Sequence, residues 1–306
     1  MLRWTLALAV LTLGCSSPSP QEEAPVRSIP LTHADGTTGL RHLLKVPVVV
    51  NGHPTTFVLD TGIGITLVDD DLLAGWGIEV DGAYTGKRMS GQEVTVPLAR
   101  VPWLSVAGVR QEDAVVGSWD VPGFLPSTPE FAGVEGYLSL NALERVPFTL
   151  DYGRGELIVE DAAGLAAREA AGVSVPLELE RDGPTLVVFL EVELPNGPPA
   201  RVELDLGSAV LILNDPFMKR LGVDPSGEGV ERYEDRDETQ HAYVRHFATI
   251  EGSVAPVGAG RFAQTNPKVM FQSIIYDGLI GDQYMRRHTV TFDLPGQRLI
   301  LGPRAE

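Results

Sequence analysis

The alternation of apolar and polar positions predicts short strands joined by sharp turns. Residues 46–50 form an apolar run that ends at Asn51-Gly52, a dipeptide suited to a tight hairpin. Residues 55–59 return as a second strand and stop at Asp60-Thr61-Gly62. An apolar stretch, 63–68, leads into a short helix from about 70 to 76 that Gly77 ends. Further strands are predicted over 103–106, 114–116, 148–150 and 157–159, and a connecting helix over 162–171. The order then begins again. Asn214-Asp215 can cap a helix with Pro216 in its first turn and Gly222 at its end. Strands over 290–292 and 299–301 match the last two of the first half.

The recurrence extends to residue identity. Residues 51–77 align with 196–222 at a constant offset of 145, sharing 8 of 27 positions, among them Asn51/Asn196, Gly52/Gly197, Leu59/Leu204, Asp60/Asp205 and Gly62/Gly207. A second block, 136–159 against 278–301, aligns at offset 142 and shares Gly136/Gly278, Thr149/Thr291, Asp151/Asp293 and Leu157/Leu299. Two ordered blocks at nearly equal spacing point to a duplicated unit. The chain divides into residues 1–14, a tether over 15–38, a first lobe over 39–160, a linker over 161–174 and a second lobe over 175–304. The fold class is mostly β, with short helices.

Composition narrows the function classes. Of 306 residues, 43% are hydrophobic and 21% charged, enough to build a core. The net charge of −17 is a poor match for nucleic acid or an anionic lipid surface. There is no paired-cysteine, HExxH or GxSxG pattern, so no metal site or serine nucleophile is expected. Gly258-Ala259-Gly260-Arg261-Phe262-Ala263 matches a dinucleotide fingerprint by letters only and is expected to be a loop.

Residues 1–14 read as a secretory signal, with Arg3 ahead of an apolar run over 4–13. That run is shorter than the roughly 20 residues a membrane-spanning helix needs. Cys15 is the only cysteine, so the mature chain has no disulfide. Gly14-Cys15-Ser16-Ser17 resembles the lipobox of bacterial lipoproteins, although Thr12 replaces the usual leucine. The resemblance implies acylation of Cys15 and export to the cell envelope, facing the periplasm, with Ser16 favouring the outer membrane. The alternative is an ordinary signal peptide with an incidental cysteine.

The chemistry sits in the repeated strand end. Val58-Leu59-Asp60-Thr61-Gly62 recurs as Glu203-Leu204-Asp205-Leu206-Gly207-Ser208, and Gly278-Leu279-Ile280-Gly281 supplies a hydrophobic-hydrophobic-Gly element downstream. The chain after the tether resembles the retropepsin-like aspartic proteases of bacteria in a tandem, two-lobe form. That resemblance implies a bilobal acid-protease fold of two related β-barrel lobes, acting as a monomer on a peptide or protein substrate. It makes Asp60 and Asp205 the catalytic pair, supported by Thr61, Gly62, Gly207 and Ser208, and needs neither cofactor nor metal. Two carboxyls a few ångströms apart cannot both ionise, so they share a proton and titrate together. The ionised member would activate a water, while the protonated one would stabilise the oxyanion.

A substrate-covering hairpin, or flap, is expected around Ser90-Gly91, with 231–240 in the matching place of the second unit. Three positions depart from the family pattern. Leu206 stands where a threonine or serine hydroxyl would brace the two loops, Ser139 stands where Gly281 is a glycine, and Ile63-Gly64 follows the first motif. These departures keep open a second reading, a catalytically degenerate lipoprotein that binds peptides or partners without cleaving them.

Overall fold

Leu44–Val50 and His53–Leu59 form an antiparallel hairpin turned by Asn51 and Gly52. Both turn residues hold positive φ, 48° and 88°, in the region that Asn and Gly tolerate best. Alternation along the first strand sends Leu44, Val46, Val48 and Val50 into the core. This computed structural model describes residues 28–34, 40–236 and 241–305. Cys15 and the signal segment lie outside the described residues. Among the described residues no helix is long and apolar enough to cross a membrane.

Each lobe is built on the same interleaving of strands. In the first, Val134–Leu138 runs parallel to His53–Leu59 on one side and antiparallel to Leu67–Asp69 on the other. In the second, Gly278–Ile280 lies between Ala200–Leu204 and Leu211–Asn214 with the same polarity. The strand ending in each aspartate is therefore central to its sheet. The fold is mostly β and bilobal, as the repeat predicts.

A third sheet joins the lobes, in the order Ser28–Pro30, Glu156–Val159, Phe148–Asp151, His288–Asp293, Arg298–Pro303 and Val173–Pro176. Its middle pairs the two copies of one strand across an approximate two-fold axis. Thr149 faces Thr291, its repeat partner, and the two hydroxyls bond at 2.8 Å. The rings of Phe148 and Phe292 stack beside them, 4.8 Å apart. This sheet corrects the tether reading. Ser28–Pro30 and Thr32–His33 are paired strands, not linker. Ile29 faces Leu157 just as Val175 faces Leu299, so the duplication reaches upstream of residue 39, where Ser28-Ile29-Pro30-Leu31 is matched by Ser174-Val175-Pro176-Leu177.

The helices follow their predicted places. Asp69 caps Asp70–Gly75 through its side chain, and Gly77 leaves the helix at φ 70°. Ala162–Ala171 connects the lobes, capped by Asp161. Pro216–Arg220 departs from expectation, because Asp215 makes no side-chain cap and Asn214 instead ties down the loop at Ile274.

Candidate active site

Asp60 and Asp205 each sit just past the end of a buried central strand. The backbone N–H of Asp60 donates to the Leu138 carbonyl (3.0 Å) and that of Asp205 to the Ile280 carbonyl (3.1 Å). The interleaved strand thus fixes each aspartate's position along the sheet. Each carboxylate then accepts from the glycine two residues on, Gly62 N–H at 3.0 Å and Gly207 N–H at 2.8 Å. Both aspartates stay partly exposed to solvent.

The glycines explain how the two loops meet. A Cβ on Gly62 would lie 2.7 Å from the Asp205 carboxyl carbon, and a Cβ on Gly207 would lie 2.6 Å from Asp60 Oδ2. No side chain larger than hydrogen fits at either point while the acids stay in place. The contact is reciprocal, as a two-fold axis through the site requires, and it brings the carboxyls within hydrogen-bonding reach of each other.

The pair is electrostatically unequal. Burial raises the pKa of Asp60, but hydrogen bonds from the Gly62 N–H, Asp205 and the Ile63 N–H oppose the rise. Asp205 is held well above the usual carboxylate range, first by burial and then by the charge of Asp60. Both carboxyls are raised, so the pair holds one proton between them where a lone carboxylate would be ionised.

Thr61 braces the loops from one side. Its hydroxyl donates to the Leu204 carbonyl (2.7 Å) and accepts from the Leu206 N–H (2.9 Å), both in the other lobe. Leu206 returns nothing of the kind, since its side chain is fully buried in the apolar core. Ser208 does not substitute for it, because its hydroxyl turns to Val210 in its own loop (3.4 Å). The Ser139 hydroxyl is buried without a partner. A contact that the sequence did not point to also crosses the lobes: the His42 Nε2–H donates to the Gly207 carbonyl at 3.0 Å. No motif surrounds His42, so only the folded chain reveals it.

The predicted flap is a hairpin of Val80–Lys87 and Glu93–Val106, with Ser90-Gly91 in its turn. It reaches the second lobe at two points. The Ile275 N–H donates to the Met89 carbonyl (2.9 Å), and the Tyr84 hydroxyl donates to Asp182 (3.0 Å). In the second lobe Glu231–Arg236 and Ala242–Thr249 form the matching hairpin, and 237–240 lie outside the described residues. The two hairpins share one pocket, with Met89 and Ser90 on one wall and Tyr243 and Arg245 on another.

Among the described residues one acidic triad, Asp69, Asp70 and Asp71, is close enough to ligate a cation. Asp69 is already engaged there, accepting from the N–H groups of Leu72 and Val121.

Comparison with known proteins agrees with this geometry. Residues 46–128 match the model of the aspartyl protease family, a stretch that holds Asp60, Thr61, Gly62 and the hairpin with Ser90-Gly91 in its turn. The fold is shared with solved structures, among them the crystal structure of basic 7S globulin from soybean. That chain is 12% identical with a TM-score of 0.51, and the match covers 90% of this chain and 94% of the other. At that identity the likeness concerns the fold alone. No curated protein matches the chain in sequence.

Proposed function

We propose that the chain is an aspartic endopeptidase that hydrolyses peptide bonds with a water activated by Asp60 and Asp205. The observation that carries this reading is the reciprocal approach of Gly62 to Asp205 and Gly207 to Asp60. Two carboxyls this close at a partly exposed floor would share a proton, which supports the reading. In the proposed reaction Asp60 takes a proton from the water, whose oxygen bonds to the peptide carbonyl carbon. Asp205 gives its proton to the carbonyl oxygen. Collapse of the resulting diol breaks the C–N bond, with the amine leaving on the proton that Asp60 held and Asp205 recovering its own. The chemistry uses only groups already present, and its substrate is a peptide or protein.

The test is digestion of a diverse peptide library by the full chain from acid to neutral pH. Pepstatin-sensitive cleavage is expected, and its absence at every pH would overturn the enzyme reading. A second reading is favoured by Leu206, which leaves one half of the cross-brace unmade. In that reading the cleft binds peptides without turnover, and binding would persist unchanged in an Asp205→Ala variant.

We also infer that the chain is exported and anchored through an acylated Cys15 at a bacterial membrane, on the sequence features of residues 1–17. A mature N-terminus at Cys15 bearing acyl groups in mass spectrometry is expected. An unmodified start elsewhere would overturn it.

A further inference from the structure

The first motif approaches its aspartate through Val58, and the second through Glu203 at the same repeat position. Val58 is buried in a cluster with Ile65, Leu67 and Tyr137. Glu203 is buried as deeply, at 4% exposure, yet it is a carboxyl. No hydrogen bond to it is made among the described residues, and four acids and bases set its surroundings: Asp205, Asp60, Glu180 and Arg201. Arg201 is the sole cation in that set and is already committed. It bonds Glu178 at 2.7 Å and Glu180 at 2.5 Å, with its guanidinium over the Phe189 ring.

Strand register tells which way Glu203 faces. Val202 and Leu204 enter the core, so Glu203 shares the opposite face with Asp205. Across the sheet its neighbours are Phe189 on one side and Leu279 on the other, and Leu279 in turn faces Ile212. Leu279 and Ile212 belong to the small apolar cluster against which Met89 of the flap packs. Glu203 therefore lies on the face of the second lobe that the Val80–Lys87 and Glu93–Val106 hairpin covers, two residues before Asp205. Tyr276 stands with it, edge-on to Phe189 at 5.2 Å. Its phenol is pushed up to about 12, by burial first and then by the charges of Glu203 and Glu180.

A buried carboxyl with no partner costs free energy unless something else satisfies it. The nearby charges are mostly negative and the nearby surfaces apolar. The group that would satisfy it is a cation carried on an aliphatic chain.

We propose that Glu203 forms the end of a specificity subsite that receives the lysine or arginine side chain of a substrate residue flanking the bond to be cut. Tyr276, half-buried beside Glu203, borders the stem of that side chain, and Glu203 ionises against its charge. The proposal rests on the protease-like cleft described above and adds the substrate class.

The test compares binding of synthetic statine-containing hexapeptides to the full chain by calorimetry. The peptides are identical except for lysine or norleucine directly before or directly after the statine. The lysine member of one pair should bind tighter by on the order of tenfold or more, the usual range for a charge-assisted bond. Glu203→Gln should bring that ratio close to one. Glu203→Val, which installs the residue of the other lobe, should do the same and guards against a folding defect in the first variant. Equal binding of both members, or a preference that survives both substitutions, overturns the subsite but leaves the cleft reading standing. If no peptide binds, the cleft reading and the subsite fall together.

Discussion

The two lobes carry one design under unequal constraints. In the first, the three residues leading to the acid, Phe57-Val58-Leu59, are apolar, and the residue after the acid is Thr61, whose hydroxyl makes two bonds across the axis. In the second, the same positions are Glu203 and Leu206, a carboxyl without a partner and a side chain lost in the core. The backbone scaffold around both acids is nonetheless the same: an interleaved strand holding the N–H, and a glycine pressed against the opposite carboxyl. The elements that set the distance between the acids are duplicated faithfully, while the elements that tune them have diverged. The first lobe supplies the brace, and the second adds the buried carboxyl of Glu203.

If the lobes are equal partners in chemistry, either acid should be indispensable. Asp60→Asn and Asp205→Asn should each lower kcat by on the order of a thousandfold or more, since removing one member of a concerted pair removes nearly the whole effect. Peptide assays of both variants beside the parent measure this. Activity surviving in one of them would make the site one-sided and break the comparison.

The next largest effect concerns the position two before each acid. Val58→Glu places a carboxyl among Ile65, Leu67 and Tyr137 with nothing to pair it, and should cost about 3–5 kcal/mol. Glu203→Val should stabilise the fold, and the gain should depend on pH. Burial, then the charges of Asp205 and Asp60, hold Glu203 well above the ordinary carboxylate range in the folded chain. The folded state thus binds that proton more tightly than the unfolded one. Its contribution is complete below the ordinary carboxylate pKa and is lost as pH rises through the raised value. Denaturation midpoints of parent and variant should converge in acid and separate toward neutral pH. A constant gap would mean that Glu203 does not titrate in that window.

What the sequence disclosed follows from how each feature is encoded. The repeat, the hairpin at Asn51-Gly52 and the helix ended by Gly77 are local, so turn residues and spacing reveal them. The pairing of Asp60 with Asp205 was legible because identity survives where an added Cβ would collide with the opposite acid. The strand Ser28–Pro30 was missed although Ser28-Ile29-Pro30-Leu31 recurs as Ser174-Val175-Pro176-Leu177, because so short a match stands apart from the longer repeat blocks and the strand's partner, Glu156–Val159, is distant in sequence. His42 and Glu203 were missed for another reason. Each acquires its meaning from a residue brought near by the fold: His42 lies in no motif and gains its role from Gly207, and Glu203, though inside the repeated motif opposite Val58, gains its role from the face the hairpin covers.

A smaller effect separates the braces. Thr61→Val keeps the shape but strands the Leu204 carbonyl and the Leu206 N–H, and should cost about 1–3 kcal/mol. Loosening the loops should lower kcat by on the order of 100-fold, with less change in KM. Leu206→Thr is the converse: it shortens a core side chain and lowers Tm, while returning a hydroxyl to the axis and raising kcat. If Leu206→Thr lowers kcat as well, the second lobe has adapted to the leucine, and the asymmetry is functional.

The least effect is expected at Ser139. Its counterpart Gly281 cannot take a side chain, because a Cβ there would lie 2.3 Å from the Ser208 carbonyl oxygen. In the first lobe that constraint is relaxed. The Ser139 N–H donates instead to the Thr66 hydroxyl (3.2 Å), which is held by Asn141 (2.8 Å), and the serine side chain fits but finds no partner. Ser139→Gly removes an unsatisfied buried hydroxyl, a gain of about 1 kcal/mol, and adds backbone freedom to the unfolded chain, a loss of about the same size. The two nearly cancel, so the denaturant midpoint should move by no more than about 0.5 kcal/mol equivalent. A destabilisation above about 2 kcal/mol would mean that the Ser139 hydroxyl is satisfied by a buried water. The two lobes would then differ in how they seat that water rather than in how much room their loops leave.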